Sequence, residues 1–282
     1  EIEALCSGRG VPVVEDTAQA FGARVEGRRL GTFGDVGVYS FGTYKNLNTW
    51  YGGAVTCANP ERFAAIRKQV ESWTPRSAAS LVRQMLKGLS TDVATHPALF
   101  RTLTYWIFRF GALHDIRAIN RFVQTELDLS RREELPRAYR GQMTPAQQRL
   151  GLAQLPHVDR DNAARVEKAA RYRRGLEDLG GLVLPPDAAS GIYTYFPVQW
   201  PGGEAERRRL LRYLTERGCD IGPQHLKNCA DLPAFREFAR DCPNAREAAD
   251  AVVLLPTYPR YPNRDVDRNL EVLRAYAAAR GV

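Results

Sequence analysis

A chain of 282 residues, 44% hydrophobic and 26% charged, suffices for one large or two modest domains of ordinary globular composition. No apolar run reaches the roughly 20 residues that a membrane helix needs, and no secretory signal opens the chain. The formal charge of +8 raises nucleic acid or an anionic membrane as partners, but arginine-rich stretches such as RVEKAARYRRGLEDL also carry acids, and without zinc-finger spacing, an RNP-like motif or a long basic run the reading is solvated helix faces and no nucleic acid.

The chain opens at Glu1 inside a helical pattern, EIEALCSGRG, which reads as a chain lacking its N-terminal part. VPVV at 11–14, ending in Glu15-Asp16, VGVYSF at 36–41 and GAVTC at 53–57 are short β-branched runs. Such runs suggest strands buried on both faces in the middle of an α/β sheet. A helix follows over 60–73, with Pro60 at its start and Phe63, Ile66 and Val70 at spacings of three and four. Residues 74–140 are basic, aromatic and helical in pattern. From MTPAQQRLGLAQL at 143 a long helical pattern runs to about Leu179, where GGLVLPP breaks it. IYTYFPVQW at 192–200 is β-rich, EAERRRLLRYLTERG is a helix closed by Gly218, AVVLLPTYP at 251–259 is extended, and RDVDRNLEVLRAYAAA is a last helix. The expected boundaries are thus 1–74, 75–140 and 141–282. Five cysteines, an odd number with no CxxC, argue against a disulfide framework or a zinc site and for reduced thiols in a cytoplasm.

Two charged residues stand at strand ends. Asp16 follows an apolar strand, where ligands of open α/β sheets bind; its bland alternative is an exposed Asp capping a helix. Lys45 lies between VGVYSF and GAVTC; its bland alternative is a solvated lysine. In an apolar pocket a lysine loses proton affinity and becomes a nucleophile for a carbonyl, forming a Schiff base. Ser40 offers a hydroxyl to a phosphate oxygen, and Gly52-Gly53 allows close backbone approach. An amine for an aldehyde, an acid for a pyridine nitrogen and a hydroxyl for a phosphate together describe a pyridoxal 5'-phosphate (PLP) site.

The segment VVEDTAQAFGA…GTFGDVGVYSFGTYKNLNTWYGGAV resembles the DegT/DnrJ-type sugar aminotransferases, fold-type I PLP-dependent enzymes. MTPAQQRLGLAQL and VVLLPTYP resemble later segments of the same family. The resemblance covers most of the chain except about 75–140. It implies a mixed-sheet remainder of a large α/β domain over 1–74, a helical basic-aromatic insert over 75–140, and a smaller α+β domain over 141–282. It implies PLP as cofactor, with Lys45 bound to its aldehyde and shuttling the proton, Asp16 on the pyridine nitrogen, Gln19 beside the ring and Ser40 on the phosphate. Arg140 and Gln142 take the places of the family's Asn and Arg, and Arg140 would supply a cationic donor to the phosphate. TWYGG replaces a small-acidic residue before the glycines. The implied reaction carries an amino group, from glutamate, to a nucleotide- or carrier-linked keto-sugar in amino-sugar or polysaccharide biosynthesis, in a homodimer. Two alternatives are a sugar dehydratase of the same fold, which replaces the lysine by histidine, and a non-catalytic PLP-binding regulatory or structural relative.

Residues 76–121 carry seven basic residues against Asp92 and Asp115, a net +5 of the chain's +8. Their aromatic residues are expected to pack in a dimer interface or against the core, leaving the arginines solvated. The second reading is peripheral contact of 97–114 with an anionic membrane surface.

Overall fold

The computed structural model describes residues 2–123, 133–136, 139–188, 190–222 and 226–281. The chain divides into two compact units, Glu1–Val93 with Glu134–Ala163 and Ala188–Ile192, and Ala94–Glu133 with Ala164–Asp187 and Tyr193–Val282.

In the first unit, helix α1 (Ile2–Ser7) leads to a three-stranded sheet of β1 (Val14–Asp16), β4 (Val36–Ser40) and β5 (Gly53–Cys57), in the order β1-β4-β5. β1 runs parallel to β4 and β5 antiparallel to it. A small hairpin of β2 (Arg24–Val25) and β3 (Arg28–Arg29) lies in the connection. β1 starts at Val14 rather than at residue 11: Pro12 has no N–H to give, and the Val13 N–H goes to the Asp35 carboxylate at 2.8 Å instead of to a ladder. Helix α2 (Pro60–Glu71) starts where its sequence says, capped by Asn59, whose Oδ1 accepts from the Arg62 N–H at 2.8 Å. β6 (Thr74–Pro75) pairs in parallel with β7 (Gly141–Gln142), and α3 (Ala78–Ala94) follows β6.

One face of the sheet lies under the 21–34 connection. The Glu15 carboxylate accepts from the N–H groups of Gly31, Phe33 and Gly34 at 2.6–2.7 Å. Tyr39 donates to the Leu30 carbonyl, Thr56 donates to the Gly31 carbonyl, and a Cβ on Gly37 would collide with that same carbonyl. The opposite face is open among the described residues, with Val14 63% and Val38 37% exposed. Burial on both faces, expected from the apolar runs, is therefore not found: the described residues supply a covering layer to one face only.

Asp35 ties the start of β4 to two elements, and the Arg62 guanidinium, followed by the Val13 N–H, holds its carboxyl below the usual carboxylate range. Asp159 is held low in the same way, first by Arg29. A carboxylate with a depressed folded-state pKa contributes stability above its unfolded value and loses it as pH falls through the folded value. We expect the melting temperature to fall below about pH 4, and Asp35→Asn to be less stable at neutral pH but shallower along that acid limb. Thermal melts across pH check this; an acid limb that Asp35→Asn leaves unchanged would place the linkage on other groups.

The first unit is completed by α7 (Pro145–Gln154) and the first residues of α8 (Val158–Leu176). The single long helix expected from 143 onward is broken by a 3₁₀ turn at Leu155–His157, because Pro156 cannot donate to the helical ladder.

The second unit is built on β8 (Tyr195–Gln199) and β9 (Val252–Pro256), paired antiparallel, with β9 buried along its whole length. Helices α9 (Gly203–Glu216), α10 (Pro243–Ala251) and α11 (Asn263–Arg280) belong to this unit. Its core holds Tyr172, Leu176, Phe196, Trp200, Leu210, Leu214 and Leu273. Inside it the Asn269 amide donates to the hydroxyls of Tyr172 and Tyr261 at 3.0 and 2.9 Å, so the buried polar groups are paired. The unit also holds α4 (Pro97–Leu99), a π-helical turn at Phe100–Thr104, α5 (Tyr105–Leu113) and α6 (Arg117–Val123). No helix among the described residues is long and apolar enough to cross a membrane.

Candidate active site

Asp16 closes β1 and Ser40 closes β4. The parallel register places Asp16 beside Val38, two residues before Ser40, so both side chains stand at the same end of neighbouring strands. Thr17, 2% exposed, fixes the chain just beyond Asp16: its N–H and its hydroxyl both donate to the Val38 carbonyl, at 2.9 and 2.7 Å. Asp16 Oδ1 accepts from the Ala18 N–H at 2.9 Å, which orients the carboxylate. Gln19 lies exposed three residues on. Phe21 meets Tyr39 and Phe41 edge-on, with ring centroids 5.5 and 5.7 Å apart, and so packs the loop after Asp16 onto β4.

Lys45 stands in a turn closed by its own N–H on the Gly42 carbonyl at 3.1 Å, and it is half-buried. A Cβ built on Gly42 would lie 3.7 Å from Ser40 Oγ and 3.9 Å from Lys45 Cγ, ordinary contact distances, so the serine hydroxyl and the lysine stem both lie beside Gly42. Among the described residues none pairs with the Lys45 ammonium, the Ser40 hydroxyl or Asp16 Oδ2. A solvated lysine in a turn would share that property. What a turn lysine does not require is the convergence on Gly42 and the carboxylate at the neighbouring strand end.

The lysine loop is held from the other side by amide side chains. Gln147, 1% exposed, donates through Nε2 to the carbonyls of Thr49 and Tyr51 at 2.9 and 3.2 Å. Gln154 accepts from the Asn48 N–H at 3.1 Å and donates to the Asn48 carbonyl at 2.8 Å. The Asn46 amide donates to Asn162 Oδ1 at 3.2 Å, and Asn162 in turn donates to the Phe21 carbonyl at 3.0 Å. Leu47 and Thr49 are buried between these pairs, and Gly151 gives Thr49 room. Thr144 and Gln147 form a capping box at the start of α7, which fixes the orientation of the Gln147 side chain. Arg29 and Asp159 add a two-pronged ion pair at 3.0 and 2.8 Å. Backbone strain sits in the same loop: Trp50 has φ +65° and Gly52 φ +104°, and a Cβ on Gly52 would strike Met143.

The Trp50 of TWYGG has a structural partner. Its indole rests on Gly88 of α3, where any Cβ would collide with the ring nitrogen. Tyr51 lies under the Arg76 guanidinium, 4.1 Å from the ring centroid. Arg140 is exposed immediately before β7, in the two-stranded β6–β7 sheet and not in the sheet that carries Asp16 and Ser40. The structure records no contact that brings Arg140 to Ser40 or Lys45. Gln142, its neighbour, is committed to the carbonyls of Glu71 and Trp73 at 3.1 and 2.7 Å.

The pattern of the DegT/DnrJ/EryC1/StrS aminotransferase family matches residues 1–95 and 105–274. The chain belongs to that family. It is 29% identical over 285 residues to a dTDP-3-amino-3,4,6-trideoxy-alpha-D-glucose transaminase of Streptomyces venezuelae, covering 97% of this chain and 58% of the relative. It is 27% identical to a dTDP-4-dehydro-2,3,6-trideoxy-D-glucose 4-aminotransferase of Saccharopolyspora spinosa, with 93% and 57% covered. In structure it is similar to the aminotransferase TlmJ of Streptoalloteichus hindustanus, with a TM-score of 0.67 and 25% identity, over 100% of this chain and 62% of that one. The chain thus spans less than two thirds of the length of these relatives. The fold-type I α/β class expected from the sequence is borne out by these likenesses.

Glu15, Gln147, Gln154 and Asn162 did not emerge from the sequence as site residues. Thr144-x-x-Gln147 carried a capping-box signal, but the second role of Gln147, on the lysine loop, spans 98 residues and has no local signature.

Proposed function

We propose that the protein to which this chain belongs is a PLP-dependent aminotransferase that passes an amino group, from glutamate, to a nucleotide- or carrier-linked keto-sugar. The observation that carries this reading is the placement of Ser40 and Lys45 together beside Gly42, with the Asp16 carboxylate at the end of the adjacent strand. The donor set fits PLP: an amine for its aldehyde, a hydroxyl for its phosphate and a carboxylate oxygen without a protein partner for its pyridine nitrogen. Bound PLP supplies an electron sink for the carbanion of the amino donor or acceptor. Lys45 Nζ would hold the aldehyde and would be the amine that carries the proton of the donor carbon. Asp16 would hold the pyridine nitrogen through its carboxylate and keep it protonated, while the Ala18 N–H holds Oδ1 in place. Ser40 would donate to the phosphate and Gln19 would lie beside the ring, whereas no recorded contact brings Arg140 to that place.

In this reading 1–74 is the remainder of the cofactor-binding domain, 75–140 an insert and 141–282 the small domain. The active enzyme is a cytoplasmic homodimer; sedimentation velocity on the full-length protein tests the dimer, and a fully active monomer would sink it. Lys45 in place of histidine favours amino transfer over dehydration. The test is spectroscopic. Added PLP should give a visible band with the protein, and glutamate should bleach it; a stable band that glutamate leaves untouched would support a non-catalytic relative instead. Asp16→Asn should still take up PLP and cut turnover by about a hundredfold or more, the scale of losing a positioned acid-base or ionic partner. Near-normal turnover in Asp16→Asn would mean that the pyridine-binding carboxylate has been misassigned.

A further inference from the structure

The lysine loop is closed by an irregular pairing. The Phe41 N–H donates to the Gly52 carbonyl at 2.9 Å, while the Phe41 carbonyl accepts from the Thr49 N–H at 3.0 Å, so Trp50 and Tyr51 bulge out between the two bonds. Trp50 has φ +65°, a left-handed backbone that a bulky residue adopts only where its surroundings impose it. Two neighbours do so. The first is Gly88, inside α3: a Cβ there would lie 2.3 Å from the indole Nε1 and 3.1 Å from Cδ1, so only a glycine leaves the ring its seat. A glycine weakens a helix interior relative to alanine, and here the indole takes the space that a side chain would fill. The second is Asn48. Its Oδ1 accepts from the Trp50 N–H at 2.6 Å, and its Nδ2 donates to the Thr43 carbonyl at 3.0 Å. The Thr43 hydroxyl adds a longer bond, 3.4 Å, to the Trp50 carbonyl.

Thr43, Asn48 and Trp50 thus form a tie across the neck of the loop, and Lys45 stands on the stretch that the tie spans. The Lys45 side chain has no protein partner among the described residues, so its direction follows from the path of the backbone beneath it. We propose that Trp50, Asn48 and Gly88 are positioning residues for the Lys45 amine. Helix α3 seats the indole, the indole and Asn48 together hold the left-handed turn at Trp50, and Asn48 carries that fixed point across to Thr43. The Gln147 and Gln154 amides hold the far limb of the loop at residues 48, 49 and 51 and do not reach Thr43. An amine fixed in place meets a carbonyl faster than one on a loose loop, because its orientation is set beforehand. That the carbonyl is the PLP aldehyde rests on the aminotransferase reading; the tie between α3 and the lysine loop does not.

The test is a double-mutant cycle on the full chain, Gly88→Ala against Trp50→Gly, with two readouts. With added PLP, the rate at which the visible band appears is followed, and borohydride reduction with peptide mapping shows whether PLP is attached at Lys45. Without PLP, hydrogen exchange of the amides of 43–50 is followed. Each single variant should slow attachment about tenfold or more, the scale on which a misplaced reacting group loses rate. Each should also quicken exchange across 43–50 while β8 and β9 keep their protection. Glycine at position 50 suits the left-handed φ and keeps the N–H for Asn48, so what Trp50→Gly removes is the indole and its seat. Gly88→Ala should add nothing in the Trp50→Gly background, because it acts only through the indole. Asn48→Ala keeps the backbone bonds to Gln154 and loses both arms of the tie; it should slow attachment in the same way, and it serves if Gly88→Ala misfolds. Parental attachment rates in the folded variants, effects of Gly88→Ala and Trp50→Gly that multiply, or unchanged exchange at 43–50 would each overturn the proposal. Quickened exchange in the variants, beside a parent that never attaches PLP at Lys45, would sink the PLP reading and support the tie.

Discussion

Lys45→Ala should abolish both amino transfer and the visible band that PLP acquires on binding a lysine amine, because in the proposed site no other amine among the described residues is assigned to take the aldehyde. The variant should remain folded. The Lys45 side chain has no protein partner among the described residues, and the loop that carries it is held by Leu47, Thr49 and the Gln147 and Gln154 amides. The expected loss of turnover is on the order of a thousandfold or more, since removal of a covalent catalyst and proton carrier forfeits at least a general acid-base contribution. Single-turnover assays with glutamate, read beside the absorbance spectrum, separate this from a binding defect. Retention of the band in Lys45→Ala would show that another amine is the nucleophile and that the strand-end constellation has been misread.

The residues proposed for the chemistry could be picked out in the sequence because chemistry restricts both residue type and position. Asp16, Ser40 and Lys45 each follow a short β-branched run, and strand ends are where an α/β sheet presents ligands. The spacing from Ser40 to Lys45 survives as geometry, with both side chains converging on Gly42. What supports them was not legible. Glu15 holds three N–H groups of the 31–34 turn, but next to Asp16 it reads as one more carboxylate in a loop. The clamp on the lysine loop joins residues about a hundred positions apart, through amide-to-carbonyl hydrogen bonds that any Gln or Asn could make. Strand limits shifted for a local reason, the competition of Asp35 for the Val13 N–H. The faces of the sheet were misjudged because an apolar residue records a preference for burial, but not whether the partner surface is among the residues at hand.

The amide clamp makes its own prediction. Gln147→Leu keeps most of the volume of a side chain that is 1% exposed, and it removes the side-chain donor to the Thr49 carbonyl, while the Tyr51 carbonyl keeps the Thr49 hydroxyl at 2.7 Å. It also breaks the capping box, because Gln147 Oε1 accepts from the Thr144 N–H at 3.1 Å. A carbonyl left buried without a donor costs about 1–3 kcal/mol and a lost cap about 1 kcal/mol, so a loss of about 2–4 kcal/mol is expected where these segments pack. Trp50 and Gly52, on either side of Tyr51, hold positive φ angles that the clamp helps to maintain. The loop should therefore relax even where the chain stays folded. Hydrogen exchange should quicken across 45–52 and at the start of α7, while β8 and β9 keep their protection because their contacts do not involve Gln147. PLP uptake should weaken as Lys45 loses its fixed position. A thermal melt and an exchange pattern both equal to the parent's would show that the Thr49 carbonyl finds another donor and that Gln147 does nothing for the lysine loop.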